Sequence, residues 1–317
     1  MIYLDKILDI KRNIWGLEYK FKTDEGNIFF NKTLEIRMNK IAQIILENDP
    51  DIICFQEMTS QTLKILSDLT GNKYPFKFEP YFDTKKYNLS RGRTVEVYLF
   101  SKFLPKSVKH YDLSGNLGYN NAVMIAEFDN LVVGCCYLQA GSKFSPGQSN
   151  YWMHYARCRM AELRSIKTLM SEYTHTKAKI LVGDFNFHIG EDKLEWPENF
   201  IIDEMQLIDA WKTLKGSDLG LTEDTAINKM RWNVKFMEKH FRYDGIFFSN
   251  NITPTNIKLL GNDEIPLSRE DSELFIKYRV PNVPKKEDKI IFYNKSERLL
   301  SLYPSDHFSV MATFELI

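Results

Sequence analysis

The apolar positions fall into short continuous runs that alternate with helix-length amphipathic stretches, a rhythm that points to an α/β arrangement. Residues 7–15 read as a first strand. Between 34 and 46, Leu34, Met38, Ile41 and Ile45 recur at three- or four-residue spacing, which predicts a helix that ends before Asn48-Asp49-Pro50. Residues 51–56 then predict a buried strand, and 59–69 a second helix with a hydroxyl cap at its start and Gly71 past its end. Further strand-like runs lie at 95–100, 122–128, 131–138, 180–182, 243–248 and 308–314. A long helix is predicted over 149–171, with Met153, Met160, Leu163 and Met170 on one face. No internal repeat or flexible Gly/Ser linker divides the chain, so one domain is expected over 1–317. The weakly periodic segment 266–303, with Pro281, Pro284 and the charged run 285–289, is expected to be a surface insertion.

Composition narrows the function. With 44% hydrophobic and 14% aromatic residues in 317, a sizeable core can be buried. The 42 Lys and Arg balance 42 Asp and Glu, so no basic excess exists to coat nucleic acid by counterion release, and any phosphate chemistry must come from a local site. The first ten residues, with Asp5, Lys6 and Asp9, do not read as a signal peptide, and the most apolar window, 121–138, is interrupted by Glu127, Asp129 and Asn130. Four cysteines in so long a chain suggest no disulfide scaffold and an intracellular setting. Cys135 and Cys136 are adjacent, so strand alternation should point them to opposite faces.

Groups able to do chemistry recur at the ends of apolar strands, where ligand sites of α/β sheets gather. Glu57 follows DIICFQ, Asp184 and Asn186 follow KILVG, and Asp306 and His307 precede FSVMATF. Asp244 sits inside RYDGIFF, and Asn13 in the first strand. Taken singly, each has an ordinary explanation: a helix-start carboxylate, an Asx turn, a surface pair. Hard oxygen ligands such as Glu57 and Asp306, with few nitrogens and no thiolates, suit Mg²⁺ or Mn²⁺ better than Zn²⁺.

Together, strand-PDIICFQE, strand-GDFN, strand-YDGIFFS and SDH form an ordered set that resembles the endonuclease/exonuclease/phosphatase superfamily over nearly the whole chain. The resemblance implies a DNase I-like fold, a four-layered α/β sandwich of two packed mixed β-sheets flanked by helices. It implies Glu57 as the principal metal ligand, completed by Asn13 and Asp306, with Asp184 orienting or deprotonating the attacking water and Asn186 a donor near it. His307 is implied to contact the scissile phosphate, with Asp244 holding its imidazole. The run Tyr137-Leu138-Gln139-Ala140-Gly141-Ser142 is similar to the strand-end HLQAGS motif of several members, with Tyr137 where many have His; abasic-site endonucleases also have Tyr there, as a candidate phosphate or leaving-group donor. A core-edge packing role for Tyr137 stays open.

The C-terminal third is most similar to the 5′-tyrosyl-DNA phosphodiesterases. Asp224, Thr225 and Asn228 match that group's DT and Asn elements, Glu223 stands where it has Trp, and Phe308 keeps an aromatic after SDH. The resemblance implies hydrolysis of a phosphodiester at a single-stranded or frayed nucleic-acid 5′ end, one that can carry a tyrosine-linked protein, by a monomer with no membrane partner. The alternatives are an abasic-site or exonucleolytic nuclease, a phosphatase or lipid phosphodiesterase, and a non-catalytic binding relative. Ser142, Thr225, Asn228, Phe308 and the basic pair Arg91 and Arg93 are the candidate substrate contacts; a solvated loop is the plainer reading of the basic pair. His188, two residues after Asn186, is close enough to the site to matter.

Overall fold

The computed structural model describes residues 6–11, 24–79, 97–113, 121–141, 151–174, 177–190, 193–228, 239–271 and 302–316. Two six-stranded sheets form its centre. The first runs β13 (Ile252–Leu260), β14 (Ser309–Leu316), β1 (Lys6–Lys11), β2 (Ile52–Gln56), β4 (Val97–Ser101) and β3 (Phe76–Phe78). The second runs β5 (Ser107–Asp112), β6 (Ala122–Glu127), β7 (Leu131–Tyr137), β8 (Ala178–Asp184), β12 (Asp244–Phe248) and β9 (Ile208–Asp209). A short ladder joins β10 (Glu223–Asp224) to β11 (His240–Phe241). Both large sheets are mixed: β1 pairs with β2, and β7 with β8, in parallel, while the other pairs are antiparallel. Each parallel pair is bridged by a helical crossover, as parallel strands require: α1 (Asp24–Asn48) in the first sheet and α3 (Tyr151–Ser171) in the second.

The alternation of side chains along the strands sorts them into layers. Ile52, Cys54, Val97 and Leu99 from the first sheet meet Met124, Val133, Cys135, Ile180 and Val182 from the second in the central core. The intervening residues Ile53, Phe55 and Phe100 face α1 and α2 (Ser60–Thr70), burying the predicted stripe Leu34, Met38, Ile41 and Ile45. On the other side Val132, Cys136 and Leu181 face α3 and α4 (Glu198–Glu204), with Leu163, Ile166 and Met170 buried from α3. The result is the expected helix, sheet, sheet, helix sandwich, with Cys135 and Cys136 on opposite faces. A short helix, α5 (Ala210–Lys215), opens on the Asp209 side chain, which accepts the main-chain N–H of Trp211 and Lys212.

The helix predicted over 59–69 is found at Ser60–Thr70, capped by a reciprocal pair in which Thr62 N–H donates to Thr59 Oγ1 and Thr59 N–H to Thr62 Oγ1. Of the first strand predicted over 7–15, residues 7–11 lie in the described chain, within β1, and 12–15 lie outside it. The edge strands β13, β3, β5 and β9, the β10–β11 ladder and the short helices α4 and α5 are additions to the elements read from periodicity: β13 buries its residues irregularly, and the others are too short or too exposed to print a pattern. Ile265 bridges Leu302, at the two ends of the segment expected as an insertion, of which residues 272–301 lie outside the described ones. Among the described residues no helix is long and apolar enough to cross a membrane.

Strand polarity brings the chemistry to one edge. The C-terminal ends of β2, β7 and β8 point the same way as the N-terminal ends of their antiparallel neighbours β12 and β14, as the pairing of Asp184 with Asp244 and of Asp9 with Val310 shows. Gly183 permits the close approach there. Its φ is +152°, and a Cβ would stand 2.0 Å from the Cys136 carbonyl oxygen, so any side chain before Asp184 would push β8 off β7.

Candidate active site

Glu57 leaves the end of β2 with φ +57°, a left-handed conformation uncommon for a non-glycine residue, and its carboxylate is only 6% exposed. Across the inter-sheet gap the Tyr137 hydroxyl, at the end of β7, donates to Glu57 Oε1 at 2.5 Å. Tyr137 is itself buried, so its hydroxyl is spent on orienting the metal-ligand candidate. It thus has a polar task at the site while packing at the core edge.

Asp184 is fully buried at the end of β8, with Oδ1 accepting the Asn186 N–H at 2.8 Å, the Asx turn that the GDFN sequence suggests. Asn186 also adopts positive φ, +55°, and its side-chain amide donates to the Leu138 carbonyl at 2.8 Å, while Leu138 N–H donates to the Asp184 carbonyl at 3.0 Å. Asp244, opposite Asp184 in the ladder, shares a 2.7 Å hydrogen bond between Oδ2 and His307 Nδ1. A carboxylate can only accept, so Nδ1 carries the proton. One ligand atom from each of Asp184, Asp244 and His307 lies within 4.8 Å of the others, all three residues buried.

Asp306 and His307 lie just before β14 in a tightly braced loop. Thr222 ties both sheets to it: Oγ1 accepts the N–H of Tyr243 at 3.0 Å and of Asp244 at 3.1 Å, and its carbonyl accepts Phe308 N–H at 2.8 Å. Arg37 of α1, buried beneath the loop, donates from Nε to the carbonyls of Tyr303 and Pro304 at 3.1 and 3.0 Å. Burial pushes its guanidinium down to about 10, against the opposing effect of Asp306. Arg37 was legible only as an oddity, a cation interleaved in the apolar face of a helix at i+3 from Leu34 and i−4 from Ile41.

Of the residues expected to touch substrate, three are engaged with the protein's own chain, Asn228 and Phe308 at this loop and Thr225 at Lys239. Thr225 Oγ1 accepts Lys239 N–H at 2.7 Å, Asn228 donates from Nδ2 to the Ser305 carbonyl at 2.8 Å, and Phe308 is 2% exposed among Ile265, Leu302 and Tyr303. Their polar atoms and the Phe308 ring are engaged with the protein's own chain. Glu223 is likewise no open carboxylate in place of a stacking ring: it is 1% exposed and ion-paired with Lys239 at 3.1 Å, whose ammonium stands 5.7 Å from the Tyr243 ring centre. His188 accepts Arg242 N–H at Nδ1 and packs by Trp196 and Phe241, and burial lowers its pKa; it belongs to the scaffold. Asn13, Arg91, Arg93 and Ser142 lie outside the described residues.

A group that the sequence motifs do not show lies behind the Tyr137–Gly141 run. Glu162 on α3 accepts Gln139 N–H at 2.9 Å and Asn121 Nδ2 at 2.6 Å. Burial pushes its carboxyl up to about 7, with those two donors and Arg159 opposing. A carboxyl raised in the folded state contributes stability that is fully present below its unfolded pKa and is lost as pH rises through the folded one. Melting curves should therefore show thermal stability falling between about pH 5 and 8 more steeply in the wild type than in Glu162→Gln. Parallel slopes for the two proteins would refute this assignment.

The donor set fits a hard divalent cation. The candidate ligands Glu57 and Asp306 are buried carboxylates, and Asp184 and Asp244 add two more at the same edge, so the site demands compensating positive charge.

A model of the Endonuclease/Exonuclease/phosphatase family matches residues 13–307. An uncharacterised Caenorhabditis elegans protein is 24% identical over 312 residues, covering 90% of this chain and 87% of its own. D. rerio TDP2 (tyrosyl-DNA phosphodiesterase 2), solved with a single-strand DNA product, superposes with a TM-score of 0.60 at 16% identity, covering 98% of this chain and 99% of that one. The beta toxin of Staphylococcus aureus superposes with a TM-score of 0.62 at 13% identity, covering 97% of this chain and 99% of that one. At such identities the superpositions establish a shared fold.

Proposed function

The chain belongs to the endonuclease/exonuclease/phosphatase family, hydrolases acting on phosphodiester bonds, and we propose that it is a Mg²⁺-dependent phosphodiesterase acting at a nucleic-acid 5′ end. The observation that carries this reading is the meeting of Asp184, Asp244 and His307 at the edge where Glu57 enters from the opposite sheet. Glu57 and Asp306, with Asn13, would hold the cation, Mg²⁺ or Mn²⁺. When bound, the cation neutralises charge on the non-bridging phosphate oxygens. Tyr137 keeps Glu57 in the orientation that receives it.

The remaining steps fall to the protein's own groups. Asp184 accepts a proton from the attacking water, and the Asx turn to Asn186 N–H fixes its carboxylate in place. Asn186 stands beside it as a polar donor. His307, with Nδ1–H committed to Asp244, turns Nε2 to the phosphate and donates to the oxygens on which charge develops. Arg91, Arg93 and Ser142 are kept as contacts to the substrate backbone.

The finer reading is a 5′-phosphotyrosyl linkage. It is supported by the order of the C-terminal motifs and by the TDP2 fold, one member of which was solved with single-strand DNA. The burial of Glu223 removes one objection to it, since that carboxylate does not face a substrate. The reading is tested with a 5′-phosphotyrosyl oligonucleotide, an abasic duplex, a plain single strand and an aryl phosphodiester, each with Mg²⁺ and again with EDTA. Fastest turnover on the phosphotyrosyl end, lost with EDTA, is expected. Preference for the abasic duplex or the plain strand would transfer the assignment to a nuclease, and absence of metal-dependent turnover on all four would reject the enzyme.

A further inference from the structure

The run from Tyr137 to Gly141 carries no secondary structure after Tyr137, yet two site residues depend on it. Tyr137 begins it, and the Leu138 carbonyl receives the Asn186 side chain. Irregular backbone holds a position only where its polar groups are tied. Here the ties come from one face of α3. Glu162 accepts Gln139 N–H at 2.9 Å, and Arg159, one turn earlier, donates from one terminal nitrogen to the Gln139 carbonyl at 3.0 Å and the Gly141 carbonyl at 2.8 Å. The rest of the Arg159 fork is held by Glu198 of α4, 2.7 Å from Nε. Asn121 joins the group by donating to both Glu162 and Gln139 Oε1 at 2.6 and 3.0 Å. Arg159 and Glu198 are fully buried, and Glu162, Asn121 and Gln139 are each 4% exposed.

Buried ionic clusters are a poor device for stability, because hydrophobic replacements usually serve as well. What this cluster supplies is geometry. Arg159 reaches two carbonyls from one terminal nitrogen while Glu198 fixes the plane of its guanidinium, and Glu162 offers two acceptors to two donors. Gly141, with φ +133°, lies so close to Tyr155 of α3 that a Cβ would stand 2.3 Å from the ring, so the run is pressed against the helix as well as tied to it.

We propose that Arg159 and Glu162 are positioning residues for hydrolysis: they grip the Gln139 main chain from both sides and thereby set where Tyr137 and Asn186 stand. This rests on the function proposed above, in which Tyr137 orients Glu57 and Asn186 stands beside Asp184. Two variants loosen the grip without stranding a buried charge. Glu162→Gln puts an amide N–H against one of two donors, and Arg159→Met with Glu198→Met removes the fork together with its counter-charge.

The experiment compares wild type and both variants at about pH 8. It reads the melting temperature, kcat and KM for the best phosphodiester of the panel, and the ¹⁵N–¹H side-chain amide signals of Asn186, identified by their loss in Asn186→Asp. Folded variants with kcat lowered about 10- to 100-fold, KM within about twofold, and shifted Asn186 signals are the expected result. Unmoved Asn186 signals overturn the proposal, as does unchanged kcat in both folded variants. If the wild type hydrolyses none of the panel, the enzymatic reading fails on its own, and the Asn186 signals alone decide whether the grip positions that side chain.

Discussion

Asp184→Asn is expected to lower kcat by about 10²- to 10⁴-fold while leaving the melting temperature nearly unchanged. The two halves of that result have separate causes. The amide oxygen of Asn has the shape to accept the Asn186 N–H that Asp184 Oδ1 now receives at 2.8 Å, so the Asx turn survives. The side chain is fully buried, so exchanging a carboxylate for an isosteric amide also removes a charge that burial opposes. An amide cannot take a proton from water, however, and the loss should appear in kcat with little change in KM, the signature of an interaction made only in the transition state. Kinetics of the purified variant on the aryl phosphodiester provide the check. Turnover within tenfold of wild type would remove Asp184 from the proton-transfer role, and a large fall in melting temperature would show that its charge serves the fold.

The meeting of the candidate site residues at one edge was legible because their positions obey a rule that sequence can express. Glu57, Asp184 and Asp244 each stop or start a run of apolar residues, and strand polarity alone then brings them to one edge. The layers were legible for the same reason: alternation sent Cys135 inward and Cys136 outward, and the stripe from Leu34 to Ile45 named the face of α1 that is buried. What could not be read is the set of residues that hold the site in place. Arg37 binds carbonyls 266 and 267 positions away, and Thr222 joins two strands from different sheets through one hydroxyl and one carbonyl. Such bonds are fixed by tertiary approach and leave no period in the chain. Thr225, Asn228 and Phe308 show the converse case. A motif match identifies the position but not the direction of the side chain: Asn228 and Phe308 turn into the protein at the Asp306–His307 loop, and Thr225 turns to the Lys239 main chain.

The second large effect is expected at the bond that joins the sheets through the site. Asp244 begins β12 in the second sheet and His307 precedes β14 in the first, and their 2.7 Å hydrogen bond is almost wholly buried. His307→Ala should lower kcat by about 10²- to 10³-fold, the range for loss of one donor to a developing oxyanion. Part of its damage should be structural, because it leaves the Asp244 carboxylate buried with neither oxygen bonded to a ring, a desolvation penalty of about 1–3 kcal/mol or more. Asp244→Asn should cost less activity, since an amide oxygen can still accept Nδ1–H, but it gives up the charge that supports a cationic imidazole. If Asp244 acts only through His307, the double variant Asp244→Asn/His307→Ala should be no slower than His307→Ala alone. It should also be more stable than His307→Ala, because the stranded charge is gone. A double-mutant cycle in kcat and in denaturant midpoint separates the two contributions. Additive losses in kcat would mean that Asp244 touches substrate or metal in its own right, and would move it from the support of the imidazole into direct contact with the reacting phosphate.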